Sequence, residues 1–164
     1  MVKKRNNSRK ILTLVGILFA ISGMLIGSVP GILMLGFLGE RAMWVAGMAI
    51  GICVSAGFEF GAKRGGSLKM VIGFIMSAIG SLLVVQLGYT FYLNEQMVDE
   101  TFIEIAFYVF ERLTDGFLRI REDITYFFSS SIEAVIIQDL FFAIAIGTVI
   151  SWMSWIPVKT KEDV

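Results

Sequence analysis

The residues of this chain that most need a chemical reason are charged and polar side chains set inside long apolar runs. Asp139 is the clearest case, lying within the run from Ile132 to Ile156 beside Gln138, with Glu133 nearer the start of that run. A charged group at the centre of a bilayer costs about 2.5–3.5 kcal/mol on insertion scales, so it tends to face protein or a watery cavity. Asp139 is therefore expected to bind a cation or proton, or to accept a hydrogen bond from a neighbouring helix. With Gln138 it forms the candidate ion or solute contact. Glu133 and Asp139 are six residues apart and fall on different helical faces, which makes them a poor carboxylate pair. Glu59, near the end of the run from Ala42 to Phe60, is the third candidate. Lys63 follows one turn later, in the order that favours a helical ion pair, and from there a side chain can snorkel to water. A structural role is expected for Glu59.

Other chemistries are poorly served. The chain has no histidine and a single cysteine, Cys53. Ser or Cys nucleophiles lack their usual base, and the common zinc ligand sets cannot be assembled. Neither H-E-x-x-H nor G-x-S-x-G occurs, and an intramembrane aspartyl dyad needs a second deep carboxylate. No enzyme, cofactor or metal site is expected, and Cys53 reads as a small buried hydrophobe. Gly65-Gly66 lacks the flanking pattern of a phosphate loop and reads as a turn. Fourteen Lys+Arg balance fourteen Asp+Glu, so no general basic field exists to attract nucleic acid.

The elements that must carry these residues are apolar helices. Of the 164 residues, 56% are hydrophobic and 17% charged, with a mean hydropathy of +0.78. The apolar residues are gathered into four runs, placed at 11–38, 42–60, 69–92 and 132–156. Each is near or above the roughly 20 residues needed to cross a bilayer as a helix. The first is too long for a secretory signal core, offers no convincing A-x-A cleavage site, and is expected to tilt or kink near Pro30. The fold class expected is all-α: one polytopic transmembrane domain spanning 1–164.

Charge segregation gives the orientation, because Lys and Arg near span ends favour the cytoplasm. Lys3, Lys4, Arg5, Arg9 and Lys10 precede the first run, Lys63, Arg64 and Lys69 follow the second, and Lys159 and Lys161 close the chain. An even number of spans puts all three groups on one side. Both termini are therefore expected in the cytoplasm, and the acidic stretch between the third and fourth runs outside.

That stretch, 97–128, is itself patterned. Glu100, Glu104, Tyr108, Glu111, Asp115, Arg119 and Glu122 recur every three or four residues, which marks one face of a helix. Asp115 with Arg119, and Arg119 with Asp123, have the spacing of helical ion pairs. Between them lies a wide apolar surface, from which Phe102, Phe107 and Phe110 are the candidate partner contacts. Thr114-Asp115-Gly116 is a candidate break into two helices. Two readings compete: an interfacial helix linking two spans, and a lid or partner-binding helix. Arg41, in the short turn after the first run, could approach Glu133.

Small residues four apart supply the packing mode. Gly23/Gly27/Gly31, Gly47/Gly51, Gly57/Gly61, Gly73/Ser77 and Ala143/Gly147/Ser151 form ladders, one or more in each run. Helices in lipid gain little from the hydrophobic effect, and close backbone approach compensates. Packing within the chain is expected, though such a face could also join two copies.

The stretch from Gly23-Met-Leu-Ile-Gly27 through Gly36 and Gly39 to Ala46-Gly47-Met-Ala-Ile-Gly51 and Gly57-Phe-Glu59-Phe-Gly61-Ala-Lys63 resembles a group of small glycine-rich four-span bacterial membrane proteins. Gln138-Asp139-Leu140 is similar to their last helix, while Pro30 departs from their pattern. The resemblance implies an integral protein of the bacterial plasma membrane and no particular activity. The expected role is a scaffold, assembly or sensing component whose partners are the bilayer and a second copy or another membrane protein. The alternative is a small transporter or channel subunit using Asp139 and Gln138.

Overall fold

The computed structural model describes residues 2–39, 43–62, 67–94, 96–97 and 99–153. They form α1 (Val2–Leu38), α2 (Met43–Ala62), α3 (Ser67–Asn94), α4 (Phe102–Glu122) and α5 (Ile132–Trp152), with a 3-10 turn at Ile124–Phe128. No strand occurs among the described residues. Four helices are long and apolar enough to cross a membrane: Ile11–Leu38 within α1, and all of α2, α3 and α5. The 20 residues of α2 and the 21 of α5 each rise about 30 Å at 1.5 Å per residue.

Local sequence explains where the helices stop. Gly39 follows α1 with φ of 63°, the left-handed conformation in which glycine ends helices at least cost. Pro30 lies inside α1, which continues through it. Thr101 and Glu104 cap α4 reciprocally: Thr101 N–H donates to Glu104 Oε2 at 2.8 Å, and Glu104 N–H donates to Thr101 Oγ1 at 3.4 Å. The Asp123 carboxylate accepts the Thr125 N–H at 2.9 Å and starts the 3-10 turn. Ser131 Oγ accepts the Ala134 N–H at 3.3 Å and caps α5.

The glycine ladders set the bundle order. α1 packs antiparallel on α2, where Gly23 faces the Cys53 carbonyl, Gly27 faces Ala49 and Ile50, and Gly57 faces Phe19. α2 then runs parallel with α5, Gly47 against Ala143 and Gly51 against Gly147. α5 returns antiparallel along α3 through Gly147 with Ser77 and Gly73 with Ser151, and α3 closes the ring on α1. The ladders read from sequence are thus used within the chain. Phe58, Ile50, Val54, Val84 and Val85 fill the layers between them and are essentially inaccessible. Cys53 is half-buried, its backbone carbonyl serving as the surface that Gly23 meets.

One end of this bundle carries the acidic connection, and it is called the acidic end below; the other is the basic end. At the acidic end α4 packs against α3 and α5 through Ile105, Val109, Leu113 and Gly116, which recur at helical spacing. α4 is one helix, not two. Gly116 does not break it but lets it approach α5, since a Cβ there would sit 2.6 Å from Ile137 Cδ1 and 3.1 Å from Glu133 Cβ.

Candidate functional site

Asp139 lies seven residues into α5, on the side turned to α3, and is 6% exposed. The Tyr89 hydroxyl of α3 donates to its Oδ2 at 2.6 Å. The sequence offered a hydrogen bond from a neighbouring helix as one use for this carboxylate, and Tyr89 provides it. Gln138, the next residue back along the helix, points elsewhere. Its Nε2 donates to the Phe127 carbonyl at 2.5 Å and lies 3.4 Å from that of Ser129, pinning the 3-10 turn to α5. Both residues nevertheless belong to the lining of one open groove of about 680 Å³, walled by Phe127, Phe128, Phe141 and Phe142.

A second polar cluster sits one to two turns nearer the start of α5. Arg112 of α4 forms an ion pair with Glu133 through Nη1 and Oε1. The Tyr126 hydroxyl donates to Glu133 Oε2 at 3.1 Å and accepts from Ser131 Oγ at 2.7 Å. The Arg112 guanidinium also lies 4.8 Å over the Tyr108 ring, a cation–π contact within the same helix. Further along α4, Arg119 lies 5.5 Å over the Tyr126 ring. Gln86 of α3 donates to the Ala106 carbonyl at 2.6 Å. Together these contacts fasten α4 from two sides. Arg41, considered above as a neighbour of Glu133, lies outside the described residues.

Glu59 belongs to the opposite end. Its Oε1 is 2.6 Å from Lys69 Nζ, and the two side chains are 1% and 5% exposed. Lys69 Nζ also donates to the Met153 carbonyl, which accepts from Ser55 Oγ at 2.9 Å. Glu59 is therefore buried in a three-helix knot at the end of α5 and does not snorkel outward. The reason is Lys69, which α3 brings in from across the bundle; Lys63, the expected partner, lies outside the described residues. Asp139 and Glu59 do not share a site.

The three phenylalanines named on α4 divide as well. Phe102 is 40% exposed and meets Phe91 of α3 at 5.2 Å between ring centroids, so it is partly spent on packing. Phe107 and Phe110 are 70% and 59% exposed, and Ile103 continues their stripe. Beside them, Glu104, Glu111 and Asp115 are also exposed. Two of the acids at the helix ends titrate low. The Thr101 backbone N–H and hydroxyl hold Glu104 below the usual carboxylate range, and the Thr125 hydroxyl and N–H do the same for Asp123.

Among the described residues no three His, Cys, Asp or Glu side chains are placed to hold a metal ion. The chain matches no family model, no curated protein and no solved structure. Sequence reasoning missed Tyr89, Lys69 and Arg112, the three partners of its acidic candidates. Lys69 enters the sequence reading only as an orienting charge, and nothing in the sequence singles out Tyr89. Only the α3–α5, α2–α3 and α4–α5 contacts, fifty, ten and twenty-one residues apart in sequence, reveal the pairings.

Proposed function

We propose that this chain is a non-enzymatic component of a bacterial plasma membrane, a scaffold, assembly or sensing subunit that crosses the bilayer four times. Its kinship is with the small glycine-rich four-span proteins it resembles. Both termini lie in the cytoplasm, and α4 rests on the extracytoplasmic surface. The distribution of Lys and Arg at the chain ends and after α2 supports this orientation. Contacts of backbone against glycine at successive layers favour a rigid body over a conduit, because close-packed interiors leave little room for a solute.

The observation that carries the reading is the asymmetry of α4. The helix is capped, pinned by Gln86 and Arg112, and buried along Ile105, Val109 and Leu113, yet Ile103, Phe107 and Phe110 are left uncovered. A helix held this firmly loses little conformational freedom on binding, and aromatic anchors dominate contact energies. The partner is another membrane protein or a second copy.

Changing Phe107 and Phe110 together to Ser tests this in cells carrying a tagged chain. The expected outcome is loss of co-purifying partner, with wild-type expression and thermal unfolding in detergent. Full partner recovery with both rings gone would sink the docking role and leave the stripe to lipid. Phe102 is left intact because it packs on Phe91.

A second reading, a small transporter or channel subunit, is favoured by one observation: Asp139 is among the residues lining an open groove, and the hydroxyls of Ser81, Ser77 and Thr148 are buried at deeper levels of α3 and α5. It predicts that Asp139→Asn abolishes solute or ion flux in proteoliposomes while the protein still folds.

A further inference from the structure

The groove beside Asp139 has a composition that specifies a ligand class. Phe127 meets Phe128 at 87° and Phe141 at 82°, with ring centroids 5.3 and 5.8 Å apart. Phe142 completes the wall. Perpendicular rings offer faces and edges in turn, and ring faces attract cations, more so away from water. Asp139 is the acidic residue of this lining. Gln138 has its nitrogen committed to backbone carbonyls, so the group it can offer a ligand is its oxygen, another acceptor. No Lys or Arg is among the described residues that line it. An anionic head would meet only acceptors there.

The apolar part of the groove continues. Phe142 and Ala145 also border a second groove of about 310 Å³, lined further by Ile146, Val149 and Ile150 and carrying no polar surface. Along α5 the distance from Asp139 to Ile150 is about 16 Å of helix rise, enough to lay an alkyl chain.

We propose that these two grooves form one binding site for an amphiphilic ammonium cation, its head among the phenylalanines against Asp139 and its alkyl chain along Ala145 to Ile150. A phospholipid with a choline head shares the ammonium chemistry but brings a phosphate that this acceptor-lined groove does not accommodate. The occupant is therefore a free alkylammonium, not a bilayer lipid. The site stands apart from docking through α4, since Phe107 and Phe110 line neither groove.

The test is equilibrium dialysis of the full chain in dodecyl maltoside against radiolabelled dodecyltrimethylammonium, with empty micelles as blank. Saturable binding above the blank is expected. Asp139→Asn should weaken it on the order of tenfold or more through loss of the countercharge. Tyr89→Phe keeps the carboxylate and removes its internal hydrogen bond, so binding should hold or tighten; a purely structural Asp139 predicts that both variants fail together. Should Asp139→Asn not fold, Phe127→Leu with Phe142→Leu leaves the carboxylate in place and should still weaken binding. Ala145→Trp, which fills the chain path, should do likewise. A short-chain phosphatidylcholine competitor should not displace the probe, and displacement would hand the site to lipid. Uptake no greater than that of empty micelles, or equal affinity in the folded Asp139→Asn protein, overturns the proposal.

Discussion

Single atoms decide how closely this bundle can pack. A methyl group on Gly27 would stand 2.7 Å from both the Ala49 carbonyl oxygen and the Ile50 Cα, which are backbone atoms that cannot step aside alone. At Gly80 the nearest atoms are Met24 Cγ at 3.0 Å and Ile50 Cγ2 at 3.1 Å, the first on a side chain that can turn. Gly27→Ala is therefore expected to destabilise by about 1–3 kcal/mol, and Gly80→Ala by clearly less. Thermal unfolding of the two variants in the same detergent measures the difference. The buried pair Glu59–Lys69 gives a second contrast at this scale. Removing one partner strands a charge and should cost about 3–5 kcal/mol, whereas replacing both with apolar residues should recover most of it. Glu59→Leu, Lys69→Met and the double variant, compared by chemical denaturation, complete the cycle; equal losses in all three would show that the pair contributes as packing alone.

At the level of elements, α4 depends on its ends. Thr101 closes a capping box with Glu104, so Thr101→Ala should weaken the helix by about 1 kcal/mol. Hydrogen exchange at the first turn of α4 reads this directly, with the protection of α3 and α5 unchanged. The same contacts set a pH response. Glu104 and Asp123 are held below the usual carboxylate range in the folded chain, so each stabilises the fold above its unfolded pKa, and that contribution is lost as pH falls through the lowered folded value. Exchange at both ends of α4 should therefore accelerate under acid, while its centre, buried along Val109 and Leu113, stays protected. α4 also marks how far sequence reading reaches. Its three-to-four periodicity and the apolar runs of the other helices were legible, because both follow from the helical repeat. The continuity through Gly116 was not, since glycine reads as a breaker until α5 is seen lying against it. The glycine ladders were legible as packing faces, but which helix each one meets is set by the ring order α1–α2–α5–α3. For the same reason Asp139 could be singled out from its depth, whereas Tyr89 and the four phenylalanines around the groove could not.

For the whole molecule, the charge pattern and the helix order make one joint statement about how the chain sits in a bilayer. The connection after α2 and the two chain ends carry most of the Lys and Arg, and an antiparallel α1–α2 pair, with α3 parallel to α1 and α5 parallel to α2, brings the start of α1, the end of α2 and the end of α5 to one end of the bundle. The acidic connection, with α4, falls at the other end. Moving either set of charges through hydrocarbon would cost several kcal/mol per residue, and the basic set is the one that cytoplasmic retention favours. Single cysteines at Lys63, Lys161 and Glu111, introduced into a Cys53→Ala background, separate the arrangements with an impermeant maleimide. Intact cells should label Glu111→Cys alone, and inside-out vesicles should label Lys63→Cys and Lys161→Cys. Labelling of Lys63→Cys and Lys161→Cys from opposite sides would mean an odd number of crossings between them, so that α3 and α5 are not the two spans of that stretch. Labelling of all three from one side would place α4 on the side of the basic segments and overturn its proposed extracytoplasmic placement. The parallel packing of α2 on α5 through Gly47 and Gly51 requires that both helices enter from the same side, so the labelling result and the glycine contacts must stand or fall together.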